Sequence, residues 1–376
     1  MHRSIAALVA LLLIPGAAIA KPNKHVCGAE PAGAARCHAR VVTDAKGNPA
    51  VTPAPNGYGP ADLQSAYALA NATAGTGQTV AIVDAYDAPT AEADLGTYRA
   101  TYGLTACTTA NGCFRKVGQT GGSVLARANG GWAQEISLDL DMASAVCPNC
   151  KILLVEANSN AFTDLAAAED TAARLGASVI SNSYGGSEFS SETSSTYNSH
   201  FNHPGIPITV SSGDSGYGVE FPAASQYVTA VGGTSLTRSG SAFGERAWSG
   251  AGSGCSAYVA KPSWQNDGGC ARRTVADVSA VADPNTGVAV YDSYKYRGGA
   301  GWMVFGGTSV AAPVVASVYA LAGNVAAPSY PYGHTSSLHD VTSGSNGSCS
   351  VAYLCTAGTG FDGPTGVGTP NGTGAF

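Results

Sequence analysis

Charge is scarce in this chain, and basic charge scarcer still. Charged residues make up 12% of its 376 positions, with 19 Lys and Arg against 25 Asp and Glu, for a net charge of -6. No Lys/Arg run or basic patch is present, which argues against a nucleic-acid partner. Long apolar runs are missing as well. The stretch Ile5–Ile14 is too short to span a bilayer and no later stretch approaches the required length, so a membrane-embedded protein is not expected. Metal-ligand spacing of the zinc type is also lacking: Cys147-Pro148-Asn149-Cys150 has no second CxxC and no His pair to complete it.

What the chain does have begins with Met1–Ala20, where a basic start (His2, Arg3), an apolar run and Ala18-Ile19-Ala20 before Lys21 read as a cleavable signal peptide. The mature protein is then exported, to the extracellular space or a periplasm, and soluble. Its ten cysteines fall as near neighbours: 27 and 37, 107 and 113, 147 and 150, 255 and 270, 349 and 355. In an exported chain that pattern implies five local disulfides. Lys21–Asn56, rich in Ala, Pro and Gly and without periodicity, reads as a linker or short propeptide. The remainder, 57–376, is long enough for one large domain.

Within it, apolar strand patterns at 78–84, 151–155, 178–181, 206–210 and 227–231 alternate with helical ones at 91–102, 131–145 and 162–175. A further helix over 62–69 has Asp62 as a candidate N-cap. The alternation implies right-handed βαβ units and an α/β fold with a largely parallel sheet, whose sites collect at the carboxyl ends of strands. Four such places carry chemistry. Asp84 and Asp87 follow the first strand. Asn182-Ser183-Tyr184-Gly185-Gly186 and Ser211-Ser212-Gly213-Asp214-Ser215-Gly216 end two others, and their glycines let backbone approach a substrate. The fourth, Gly306-Gly307-Thr308-Ser309-Val310-Ala311-Ala312-Pro313, places Ser309 at a helix start, where the macrodipole favours a developing alkoxide or oxyanion. Pro313 reads as a first-turn proline. On the helix 131–145, Glu135 and Asp139 stand four apart on one face. Paired carboxylates there can share a proton, which splits their titration and frees one to act as a base.

Ser309 in GGTSVAAP, the Glu135–Asp139 pair, and Asp214 in SSGDSG together resemble the sedolisins, serine-carboxyl peptidases with a subtilisin-like fold. The resemblance runs from Gly57 to Phe376 with the motifs in family order. It implies a secreted endopeptidase acting on proteins or peptides, with Ser309 as nucleophile, Glu135 as general base, Asp139 orienting it, and a protonated Asp214 as oxyanion donor. Such a carboxyl-based site works in an acidic window. The histidine subtilisins themselves are the competing class, but their catalytic histidine normally precedes Gly, and none of the seven histidines here does. The resemblance further implies one structural Ca2+, held by the side chains of Asp340 and Asp362 and the carbonyls of Val341, Gly358 and Gly360. A monomer is expected. Lys21–Asn56 is far shorter than the large folded propeptide usual in such peptidases. The reading from another class is a silent exported binding protein on the same fold.

Overall fold

A computed structural model describes residues 20–69 and 74–376; the expected signal peptide, but for Ala20, lies outside them. The chain runs through β1 (Asn23–His25), β2 (Arg36–Cys37), β3 (Arg40–Val42), α1 (Pro60–Ala66), β4 (Thr79–Ala85), α2 (Ala91–Thr101), β5 (Phe114–Gly118), α3 (Gly130–Val146), β6 (Lys151–Ala157) and α4 (Phe162–Arg174). It continues through β7 (Val179–Asn182), β8 (Tyr184–Ser187), β9 (Ile208–Ser211), β10 (Glu220–Phe221), β11 (Thr229–Ser239) and β12 (Ala242–Ala247). β13 (Gly254–Ala260), β14 (Arg272–Val275), β15 (Val278–Val281), β16 (Val288–Tyr296), β17 (Gly299–Gly306) and α5 (Thr308–Ala322) follow.

The central sheet has the order β12-β11-β9-β7-β4-β6-β5, with β15 paired to β11. All its pairings are parallel except β11 with β12. The expected strands and helices are all present. Runs such as Val80–Val83 are continuously apolar because both faces of a parallel sheet are covered by helices. α3 and α5 are buried nearly all round, so their polar residues cannot be a solvated face. All five local disulfides form, pairing the cysteines as their spacing suggests.

Two local expectations need correction. Asp62 is not the N-cap of α1; Gly59 is, and the Asp62 carboxylate reaches back to accept the Gly59 N–H at 3.0 Å. Pro313 is not in the first turn, because α5 starts at Thr308 and the proline stands inside it. Its missing N–H would have bonded the carbonyl of Ser309, which lies 3.4 Å from the Ser183 hydroxyl. Residues 21–56, read as a linker or short propeptide, carry three short strands. β1 and β3 extend the sheet of β17 and β16, and β2 pairs with β8.

Asp62→Ala, by deleting the side chain that satisfies a helix-end amide, should cost about 0.5–2 kcal/mol in denaturant unfolding, while Asp62→Asn keeps an acceptor and should lose less.

Candidate active site

The site lies where α3, α5 and the strand ends meet. Gly307 opens α5 with φ +98°, a conformation favourable to glycine. A Cβ there would also stand 1.9 Å from the His38 carbonyl oxygen and 2.8 Å from Asp214 Oδ2. Ser309 follows one residue into the helix and is fully buried. Its hydroxyl donates to the carbonyl of Ser183 at 3.2 Å, while Glu135 Oε1 accepts no hydrogen bond. The Ser309 hydroxyl is among the groups that favour the ionised form of Glu135.

Glu135 and Asp139 are both fully buried on α3. Burial, then the Asp139 charge, pushes Glu135 well above the ordinary carboxyl range, against the pull of Ser309 and of the Ala39 N–H, which donates to Oε2 at 2.7 Å. Burial and then Asp84 raise Asp139, whose Oδ1 accepts the Ser183 hydroxyl at 2.9 Å. Asp84 is raised by burial, Glu135 and Glu156, and neither of its oxygens has a partner. Hydrogen bonds stabilise the charged form of a carboxylate. Of the three, Glu135 receives the most hydrogen-bond support for its charged form and Asp84 none. Asp214 Oδ1 accepts the Thr308 N–H at 2.7 Å and the Thr308 hydroxyl at 3.0 Å, and Oδ2 has no partner. Burial pushes its pKa up to about 6, against the charges of His38 and Arg40 and the Thr308 amide.

The four residues singled out from the sequence are thus brought together. Two others belong with them. Ser183 links Asp139 to Ser309 from the strand end flagged above, and Asp84 joins the carboxylate cluster, whereas Asp87 turns away to an ion pair with Lys116. A chain from Glu220 through His38 to Ser211 has the composition of a Ser–His–acid triad, with Nε2 on Glu220 at 2.8 Å and Nδ1 on Ser211 at 2.7 Å. The nitrogens are used the opposite way round from a serine triad, in which Nε2 faces the serine.

Asp340 and Asp362 also converge. Their Oδ2 atoms accept the amides of Gly360 at 2.9 Å and Gly358 at 3.0 Å. Burial, with the Asp340 charge among the contributing causes, raises Asp362 to about 6. Among the described residues, no donor is recorded for the carbonyls of Val341, Gly358 or Gly360. Two carboxylates beside three unpaired carbonyls suit a hard cation, although no group of three His, Cys, Asp or Glu side chains gathers among the described residues.

The subtilase family pattern matches residues 119–344. Kumamolisin of Bacillus sp. (strain MN-32) is 31% identical over 95% of this chain and 70% of its own length. Sedolisin of Pseudomonas sp. (strain 101) is 34% identical over 44% of this chain and 33% of its own. In structure, Pseudomonas sedolisin, a serine-carboxyl proteinase complexed with two molecules of pseudo-iodotyrostatin, superposes with TM-score 0.72 and 28% identity over 84% of this chain and 96% of that one. The chain belongs to the serine-carboxyl peptidases of the subtilase family, hydrolases of peptide bonds.

A carboxyl group whose folded pKa is raised holds a proton that the unfolded chain releases near pH 4. Its contribution to stability is full below that pH and lost as pH rises through the folded pKa. Asp214 at about 6, Glu156 at about 8 and Asp84, raised well above the ordinary carboxyl range, act in the same direction. Thermal unfolding should therefore occur at lower temperature at pH 8 than at pH 5, and Asp84→Asn should flatten that dependence.

Proposed function

We propose that the protein is an exported endopeptidase that cuts proteins or peptides at acidic pH through an acyl-enzyme on Ser309. The observation that carries this reading is a buried Glu135–Asp139 pair set against a serine at a helix start. Ser309 Oγ attacks the scissile carbonyl carbon while Glu135 takes its proton. Asp139, anchored by Ser183, holds Glu135 in place and shares its negative charge. The tetrahedral oxyanion forms beside Gly307, where the open Oδ2 of a protonated Asp214 can donate to it. Glu135 then passes the proton to the leaving nitrogen, and a water activated by the same carboxylate hydrolyses the ester.

The pH limits follow from the cluster. Asp214 donates only while protonated, so activity falls as pH rises past about 6. Glu135 accepts only while ionised, which sets the acid limit. With coupled carboxylates, both limits belong to the group and not to single residues. Calcium fits the Asp340–Asp362 site, where Val341, Gly358 and Gly360 would add carbonyl oxygens. When bound, it would cancel the repulsion between the two carboxylates and fix the C-terminal loops. Export rests on Met1–Ala20, and no helix among the described residues is long and apolar enough to cross a membrane.

Hydrolysis of an unfolded protein followed from pH 3 to pH 8 tests the mechanism. Ser309→Ala and Glu135→Ala should each lose at least about 10³-fold in kcat, and Asp214→Ala about 10²–10³-fold. Activity peaking above pH 7 and surviving Glu135→Ala would point to a histidine mechanism instead. No activity in the folded parent at any pH would favour a silent binding protein. Chelation should lower the unfolding temperature of the parent. At calcium a hundredfold above Kd the ion is worth about 2.7 kcal/mol, and Asp340→Asn with Asp362→Asn should abolish the calcium-dependent shift.

A further inference from the structure

A cavity of about 470 Å³ is walled by Trp264, Tyr332, Tyr353 and Phe361, none of them a residue of the catalytic centre. Trp264 comes from the connection between β13 and β14, Tyr332 from a short helix after α5, and the other two from the C-terminal loops. The rings form a continuous arc. Centroids lie 4.8 Å apart from Trp264 to Tyr332, 5.8 Å from Tyr332 to Phe361 and 6.3 Å from Phe361 to Tyr353. All four keep part of their surface in water. A fold that had only to pack these rings would bury them, whereas aromatic surface left open around one hollow marks a binding site.

The walls are held from behind. The Tyr332 hydroxyl donates to Asp277 Oδ1 at 2.8 Å and accepts the Gln265 amide at 3.1 Å. The Tyr353 hydroxyl donates to Asp267 Oδ2 at 2.6 Å and accepts the Gly269 N–H at 2.8 Å. With their hydroxyls spent, these tyrosines offer the cavity ring surface. Charge is cancelled in the same layer: Asp267 pairs with Lys261 at 2.8 Å, and Asp277 with Arg273, whose guanidinium also stands 5.2 Å from the Trp264 ring. Two polar groups of the lining stay uncommitted. Among the described residues, neither the Trp264 indole N–H nor the Asn266 side-chain amide has a hydrogen-bond partner, and neither is sealed from water.

We infer that this cavity is a carbohydrate-binding site, which takes a neutral pyranose ring of a glycan. A pyranose with equatorial hydroxyls has a flat C–H face and a polar rim. The C–H face lies on the electron-rich face of an aromatic ring. The rim accepts the Trp264 N–H and exchanges hydrogen bonds with the Asn266 amide, which both donates and accepts. A cation is a poorer occupant, because both nearby carboxylates already hold cations. An apolar side chain is poorer too, for it would displace water from the indole N–H and the amide without replacing those bonds. Walls fixed in advance spare the cost of ordering them on binding. The site does not depend on the proposed serine-carboxyl mechanism. Its ligand can come from a glycan on a protein substrate or from a polysaccharide.

Titration of the full chain with oligosaccharides of cellulose and of chitin, followed by calorimetry and tryptophan fluorescence, tests this. At least one should bind, and Trp264→Ala should weaken it at least about tenfold. Trp264→Phe keeps a ring and deletes the N–H, and Asn266→Ala changes an exposed side chain; each should weaken binding about three- to tenfold, and they decide the matter if Trp264→Ala does not fold. In Trp264→Phe the fluorescence change should vanish while calorimetry still records the weakened binding. Hydrolysis of an unglycosylated peptide should be unchanged in all three variants. If the ring belongs to a substrate, Trp264→Phe lowers kcat/KM for a glycoprotein but not for its deglycosylated form. If it belongs to a polysaccharide, the variant loses retention on insoluble cellulose or chitin with both kinetic constants intact. Binding of neither saccharide, binding that survives all three substitutions, or tetramethylammonium bound at Trp264 in place of sugar overturns the inference. A chain that binds sugar through Trp264 and Asn266 but hydrolyses no protein sustains it and overturns the peptidase reading alone.

Discussion

Carboxylates taken out of water without cations to meet them are the constraint on which this molecule turns. Asp84, Glu135, Asp139, Asp141 and Glu169 are all fully buried, and burial is the leading cause of the upward shift in each. An isolated buried charge is far too costly to keep, so such groups neutralise by holding a proton. At acidic pH the cost is small because the protons are available. Near neutrality every group that ionises weakens the fold. The same burial that confines the stable fold toward acid also serves the proposed chemistry, in which Asp214 can donate a hydrogen bond only if its surroundings keep it protonated. Elsewhere the interior solves the problem in the ordinary way: buried Asp277 is paired with buried Arg273. The unpaired arrangement falls on α3, on β4 and, at Glu169, on α4.

Much of this was legible because the signals are local. A serine after Gly-Gly at the start of an Ala-rich apolar run, and two acids four apart in an apolar helix, are patterns whose geometry is fixed within one or two turns. The parallel sheet was equally plain, since strands buried on both faces are continuous apolar runs. Asp214 required the strand-end argument, and its function requires more: that Oδ1 is consumed by Thr308 and Oδ2 left free is a matter of two loops meeting. Asp84 and Ser183 were visible as strand ends, but their contacts with the pair on α3 come from the stacking of α3 on the sheet.

The least legible part was the N-terminal segment. β1, β2 and β3 have two or three residues each, too few for any periodicity, and Ala, Gly and Pro around them read as linker composition. Their order comes from partners far along the chain: β8, some 150 residues on, and β17, more than 250 residues on. Sequence windows cannot see such pairings. Pro313 misled for a related reason, because the helix begins at Thr308 and a first-turn proline and a sixth-position proline look alike until its start is known. Its position in the helix is consistent with the site, for the carbonyl it frees on Ser309 is the one that faces the Ser183 hydroxyl.

The segment and the carboxylates act on each other. His38 is the largest of the influences that hold Asp214 down against burial, ahead of the Thr308 amide and Arg40. The Ala39 N–H in turn favours the ionised form of Glu135. Burial raises both carboxyl groups and these N-terminal residues oppose burial at both, so the protonation of the site is set partly by residues that lie about a hundred positions or more from it in sequence.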